Sequence, residues 1–190
     1  MSDFYAEDKA FANIDYTEEE LPKGEYENCC FSGCNFSGVN LSGMTFSECE
    51  FIASNLTMSK VSGTSFRDAN FKDSKILGLR FDHCSDFLFS VNFDNCILNL
   101  ASFYVMKVKG TQFKDCSLHE TDFTGADLTG VKFENCDLRG AQFENSILEK
   151  ADFRSAFNYS FDPELNRIKK AKFSREGIAG LLSKYDITIE

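Results

Sequence analysis

The chain has 190 residues, a length that suits one domain with at most a small appendage. Its 30 acidic and 20 basic residues give a formal charge of −10, which argues against binding nucleic acid by phosphate neutralisation through a basic face. Two prolines and 43% hydrophobic residues argue against disorder, and no apolar run approaches the roughly 18 residues of a membrane span.

The opening residues, Met1 to Asp8, lack the basic-then-apolar plan of a signal peptide, so a cytoplasmic location is expected. Residues 1–25 read as an acidic N-terminal cap. Before Gly24 they hold Asp3, Glu7, Asp8, Asp15, Glu18, Glu19 and Glu20 against Lys9 and Lys23, although Phe11, Tyr16 and Leu21 already fall five residues apart.

From Tyr26 an apolar residue recurs at every fifth position: Tyr26, Phe31, Phe36, Leu41, Phe46 and onward to Phe81. After a seven-residue step it resumes at Leu88, Phe93 and Leu98 and runs to Phe153. A small residue usually stands two before each centre, as in Cys96, Ala101, Thr111 and Ala126. Five fits neither a helix stripe nor one face of a straight strand. The centres share one core only if the chain turns once per repeat, and the intervening Asn, Asp and Gly suit such turns.

Runs such as Ala126-Asp127-Leu128-Thr129-Gly130 and Cys136-Asp137-Leu138-Arg139-Gly140 resemble the pentapeptide-repeat family. The resemblance covers about residues 24–157, with residues 26–157 as the repeat domain. It implies an all-β, right-handed, four-sided β-helix of six to seven coils with 20 residues per coil. Four core ladders follow: Phe93, Phe113, Phe133 and Phe153; Phe103, Phe123 and Phe143; Leu98, Leu118 and Leu138; and Leu88, Val108, Leu128 and Leu148.

No CxxC pair occurs among Cys29, Cys30, Cys34, Cys49, Cys84, Cys96, Cys116 and Cys136, so they read as buried fillers and not as metal ligands or disulfides. Two extra residues fall between 81 and 88. Around them the outward positions turn apolar, with Leu77, Phe87, Phe89, Ile97, Leu100, Tyr104 and Val105 forming a candidate contact patch. Either a partner or another segment of the chain covers it.

Residues 158–190 leave the repeat. Ser174 suits the N-cap of a short helix, and Tyr185 to Ile189 alternates like a strand. This tail resembles the ends of gyrase-protecting family members, including immunity proteins against microcin B17 and albicidin. In them a C-terminal helix covers the open coil and joins two solenoids. Ile178, Leu181, Leu182, Ile187 and Ile189 are then the candidate dimer cap; a monomeric cap is the alternative.

There is no GxxxxGK[ST], GxGxxG, HExxH or GxSxG motif, and the two histidines, His83 and His119, read as surface residues. No enzyme, cofactor or metal is expected. The resemblance implies a DNA mimic that occupies the DNA-binding saddle of DNA gyrase or another type II topoisomerase and protects it from a toxin or antibiotic. The candidate contacts are Asp94, Asp122, Asp127, Glu134, Asp137, Glu144, Glu149 and Asp152. The alternative is a generic protein-interaction scaffold using the apolar patch. No direct nucleic-acid or membrane contact is expected in either reading.

Overall fold

The computed structural model describes residues 4–188. Short extended pieces alternate with sharp corners, and most corners hold one residue in the left-handed region. Around one coil these are Asn95, Leu100, Val105 and Gly110, with φ of 52°, 62°, 58° and 71°. Gly, Asn and Asp tolerate that conformation best, and they occupy most corners. A corner every fifth residue turns all the centres inward.

Successive coils pair in parallel. On one side β1 (Phe4–Glu7), β3 (Gly24–Glu27), β5 (Thr45–Ser47) and β7 (Ser65–Arg67) form a four-stranded sheet. On the adjacent side β2 (Ala10–Ala12), β4 (Cys30–Ser32), β6 (Glu50–Ile52), β8 (Ala69–Lys72), β9 (Val91–Asp94), β10 (Gln112–Lys114) and β11 (Lys132–Glu134) form a seven-stranded one. Isolated bridges, such as Ile97↔Ser117 and Ser102↔Asp122, make the other two sides. The register steps by 20 residues, as in Phe31↔Phe51 and Phe113↔Phe133. The result is a four-sided, all-β parallel solenoid.

Its interior is a set of side-chain stacks. Phe93, Phe113 and Phe133 lie parallel with centroids 5.1 and 5.2 Å apart, and Phe103, Phe123 and Phe143 repeat this at 5.3 and 5.2 Å. The two stacks meet edge to face, as at Phe113 and Phe123. Leu98, Leu118 and Leu138 fill the third side and Val108, Leu128 and Leu148 the fourth, all buried. Each buried centre contributes roughly 1.5–3 kcal/mol by burial, and each aromatic pair adds about 0.5–1.5 kcal/mol.

The small inward residues bond to the neighbouring coil. Ser54 Oγ donates to Phe31 O at 3.0 Å, Ser146 Oγ to Phe123 O at 2.6 Å, and Cys136 Sγ to Phe113 O at 3.3 Å. The core thus leaves these hydroxyls and thiols satisfied. Burial pushes the Cys49 and Cys96 thiols up to about 12, so they are poor nucleophiles at neutral pH.

The solenoid differs from the sequence reading in three places. Residues 4–21 are not a separate cap. β1 and β2 carry parallel pairing one coil further upstream. Gly24 is required there, because a Cβ would run into the Phe4 carbonyl.

The two extra residues stretch the register to 22, as in Phe71↔Phe93, but Leu88 is no core centre. It is exposed at φ 57°. Phe89, placed outward in the candidate patch, instead packs on the core with its ring 6.0 Å from Phe81. The longer loop moves the inward-facing residue along by one, and the four-stranded sheet ends at β7.

The described residues of the C-terminal segment form no α-helix. They form 3₁₀ turns at Gly177–Leu181 and Ser183–Tyr185, and residues 186–188 form no strand. A Cβ at Gly177 or Gly180 would collide with Tyr159. The glycines therefore let the turns press onto the last coil, at the expense of helix propensity.

Candidate partner-binding surface

The eight acids read as a DNA-mimicking set do not share a face. Asp94, Glu134 and Asp152 lie on the side of the Phe113 stack, and Asp137 lies beside Leu138. Asp122 and Glu144 flank the Phe123 stack, and Asp127 and Glu149 flank Leu128 and Leu148. All four sides carry some.

Most of them are also neutralised by a cation on the same or the next coil. Asp127 Oδ2 is 3.0 Å from Lys109 Nζ, and Asp94 Oδ1 is 3.5 Å from Lys114 Nζ. Glu149 meets Arg167 at 2.6 Å. Asp152 meets Arg154 at 2.8 Å and Lys172 at 3.8 Å. Asp137 lies 3.8 Å from Arg139 Nη2, is hydrogen-bonded to His119 Nε2 at 2.8 Å and accepts from Asn158, so His119 is a half-buried partner and not a free surface histidine. Asp122, Glu134 and Glu144 remain outside any ion pair among the described residues.

These partners leave a mark on the carboxyls. Hydrogen bonding from Arg154 holds Asp152 below the ordinary carboxylate range. At Asp137 and Asp127 partial burial pushes upward, but it is outweighed by Asn158 and His119 at the first and by Thr129 and Lys109 at the second, so both are lowered.

The coils before Phe81 behave differently. Residues 1–81 hold 13 acidic and 7 basic side chains, a net of −6, whereas residues 91–190 hold 15 and 13, a net of −2. Among the described residues no ion pair involves any of residues 4–79. The parallel register sets Glu7 beside Glu27. Asp8, Glu48 and Asp68 occupy the left-handed corner beside them, with Glu25 and Glu50 on either flank. These acids form a strip along one edge of the rod that the sequence reading passed over. Arg67 stands in the same strip, in register with Ser47, but pairs with none of these carboxylates.

The apolar residues named from the sequence wind around the insertion coil. Leu77 is half-buried and Ile97 is exposed; Leu100 stands at one corner, and Tyr104 and Val105 stand at the next. Phe87 is 64% exposed, with the Arg67 guanidinium 5.7 Å over its ring. Leu100 and Val105 take φ of 62° and 58°, and Met58 takes 54°. Large apolar side chains there are both strained and exposed.

The residues assigned to a dimer cap sit on the 3₁₀ segment. Ile178 and Ile187 are exposed, Leu182 is half-buried, and Leu181 is turned into the core; Ile189 lies outside the described residues. The segment is tied down by Lys184, which is 2.8 Å from Asp162 and 2.9 Å from Glu164. His83 and Cys84 have no metal-ligand company, since no group of three His, Cys, Asp or Glu among the described residues is placed to hold an ion. No helix among them is long and apolar enough to cross a membrane.

The four-sided coil with a five-residue corner repeat meets two matching family models. The model for pentapeptide repeats in eight copies matches residues 29–68 and 49–85, and that for a pentapeptide repeat region matches residues 86–157. The chain belongs to the pentapeptide-repeat family. A trypsin-treated variant of QnrB1, a plasmid-mediated fluoroquinolone resistance protein, is similar in fold at 14% identity and a TM-score of 0.54, covering 99% of each chain. Full-length QnrB1 aligns at 18% identity and a TM-score of 0.52 over 97% of this chain and 100% of that one. HetL, a pentapeptide-repeat protein involved in heterocyst differentiation regulation in the cyanobacterium Nostoc sp. strain PCC 7120, gives 17% identity and a TM-score of 0.45 over 92% and 89%. Comparison with curated proteins finds no match.

Proposed function

We propose that this pentapeptide-repeat protein is a non-enzymatic binding protein whose acidic rod docks in the basic DNA-binding groove of DNA gyrase or another type II topoisomerase and shields it from a toxin or antibiotic. The strip of Glu7, Glu27, Glu48 and Asp68, in no ion pair among the described residues, carries this reading. Coils stack at about 4.8 Å, so the strip presents carboxylates at short, regular intervals. Such an array steers a basic groove toward it. The fold likeness to QnrB1 is consistent with protection of this kind.

The test is gyrase binding at two salt concentrations, read alongside DNA supercoiling. Binding that competes with DNA and weakens with salt is expected. The triple variant Glu27→Gln, Glu48→Gln, Asp68→Asn should lose at least tenfold in affinity, about 1.4 kcal/mol. The matched triple Asp127→Asn, Asp137→Asn, Asp152→Asn should bind nearly as well as the parent. Absence of binding at low salt sinks the gyrase reading.

A second reading rests on a separate observation. Leu100 and Val105 hold large apolar side chains at left-handed corners, exposed by 58% and 61%. A protein scaffold that binds through them gains from a feature that the fold alone penalises. Salt-tolerant binding that Tyr104→Asp abolishes would favour this reading.

A further inference from the structure

The two ends of the solenoid are finished differently. At the C-terminal end the segment 174–188 folds over the last coil, with Phe161 N–H donating to Gly180 O at 3.2 Å and Lys184 paired to Asp162 and Glu164. At the other end no strand among the described residues pairs beyond the first coil, so β1 and β2 are the outermost strands of their sheets.

The unused hydrogen-bonding groups follow from the repeat. In the second coil Glu27 O accepts from Asp8 N–H, Cys30 N–H donates to Lys9 O, and Ser32 O accepts from Asn13 N–H. The equivalent groups one coil earlier are Glu7 C=O, Ala10 N–H and Ala12 C=O. They point outward along the rod axis, with no coil beyond them among the described residues. Beside this edge Tyr5 is exposed and donates to Glu27, Phe4 rests its ring 5.5 Å from that of Tyr26, and Phe11 is half-buried. Asp15 C=O, in contrast, is occupied by the amides of Glu18 and Glu19. The open edge thus runs mainly along β1 and β2.

The first coil also supplies a charge preference. It carries Glu7, Asp8, Asp15, Glu18, Glu19 and Glu20 against Lys9 and Lys23, with no ion pair among them. A second copy docking end to end would bring two such rims together, which like charge opposes. An extended segment rich in lysine or arginine meets the same rim favourably.

We infer that the N-terminal end of the solenoid binds an extended basic segment of a partner protein, which adds to β1 or β2 as a further parallel or antiparallel strand. Main-chain bonds to the open edge supply the docking, and the acidic rim selects the partner's charge. This inference shares Glu7 and Asp8 with the strip invoked for gyrase but does not rest on that reading, which concerns the side of the rod.

The test uses the full chain and a fluorescent nine-residue peptide alternating lysine and valine, followed by fluorescence anisotropy. Saturable binding is expected. A copy of the peptide N-methylated at alternate backbone amides, which keeps the charge but cannot extend a sheet, should bind at least tenfold more weakly. Ala10→Pro removes an outward N–H that no internal bond uses and should weaken binding by a similar factor. The triple variant Glu18→Lys, Glu19→Lys, Glu20→Lys should do the same. Equal binding of the methylated and unmethylated peptides overturns strand addition, whether or not Ala10→Pro folds. No binding of either peptide overturns the inference altogether. So does a dimer in sedimentation that Ala10→Pro dissociates, since the edge would then belong to a second copy.

Discussion

The coils before Phe81 and the coils after Val91 share one repeat but differ in charge and in core. After Val91 acids meet cations across successive coils, as in Asp127 with Lys109 and Glu149 with Arg167. Before Phe81 acids stack on acids or amides, as in Glu7 with Glu27 and Asp8 with Asn28. The core changes at the same place. The second aromatic stack runs through Tyr26, Phe46 and Phe66 in the first half. It moves to the neighbouring side through Phe103, Phe123 and Phe143 in the second. Phe81 is where it crosses, touching Phe66 and Phe71 on one side and stacking on Phe103 at 4.6 Å on the other. The difference teaches that a repeat fixes the backbone while leaving the outer charge free to be neutralised or offered.

The largest effect is expected at the crossing. Phe81→Ala should cost about 3–5 kcal/mol in a denaturant titration, as should Phe123→Ala in the middle of its stack. Phe89→Ala, from a half-buried ring, should cost roughly 1–2 kcal/mol. A loss at Phe81 below about 1 kcal/mol would mean that the two halves pack independently.

Acid should separate the halves. Asp127, Asp137 and Asp152 have folded values below their unfolded value of about 3.9. Their contribution is present above that value and lost as pH falls through the folded ones. Hydrogen exchange should therefore show protection of residues 91–173 falling before that of residues 24–81 as pH drops below about 4. Salt should act in opposite senses, since screening weakens the pairs of the second half and relieves repulsion in the first. Protection that changes equally in both halves would remove the distinction.

The smallest effect is expected at the strained corner. Val105→Asn keeps the backbone and relieves a β-branched residue at positive φ, so it should stabilise by about 0.5–1 kcal/mol. If it also abolishes binding of a partner found by other means, the apolar corner was kept for contact.

Much of the core could be read directly. Phe93, Phe113, Leu118 and Leu138 stand five or twenty residues apart, and only a four-sided coil makes such residues neighbours. Phe89 could not be read, because a two-residue insertion can be absorbed anywhere in its loop, and the packing beside Phe81 selected which aromatic turned inward. The shift of the charge surface to Glu27, Glu48 and Asp68 was also hidden. Composition counts charges, whereas neutralisation depends on which cation lies one coil away.

The sequence by itself determined that the chain turns once every five residues around a filled interior, because a period of five leaves it no other way to bury its centres; the four sides were what the family resemblance implied. Only the tertiary structure decided that residues 4–21 belong to the coil, how the segment after residue 174 packs on the last coil, and which acids stand outside ion pairs among the described residues. Those outcomes depend on contacts between residues about twenty apart: Phe4 against Gly24, Tyr159 against Gly177, and each carboxylate against the side chain stacked above or below it.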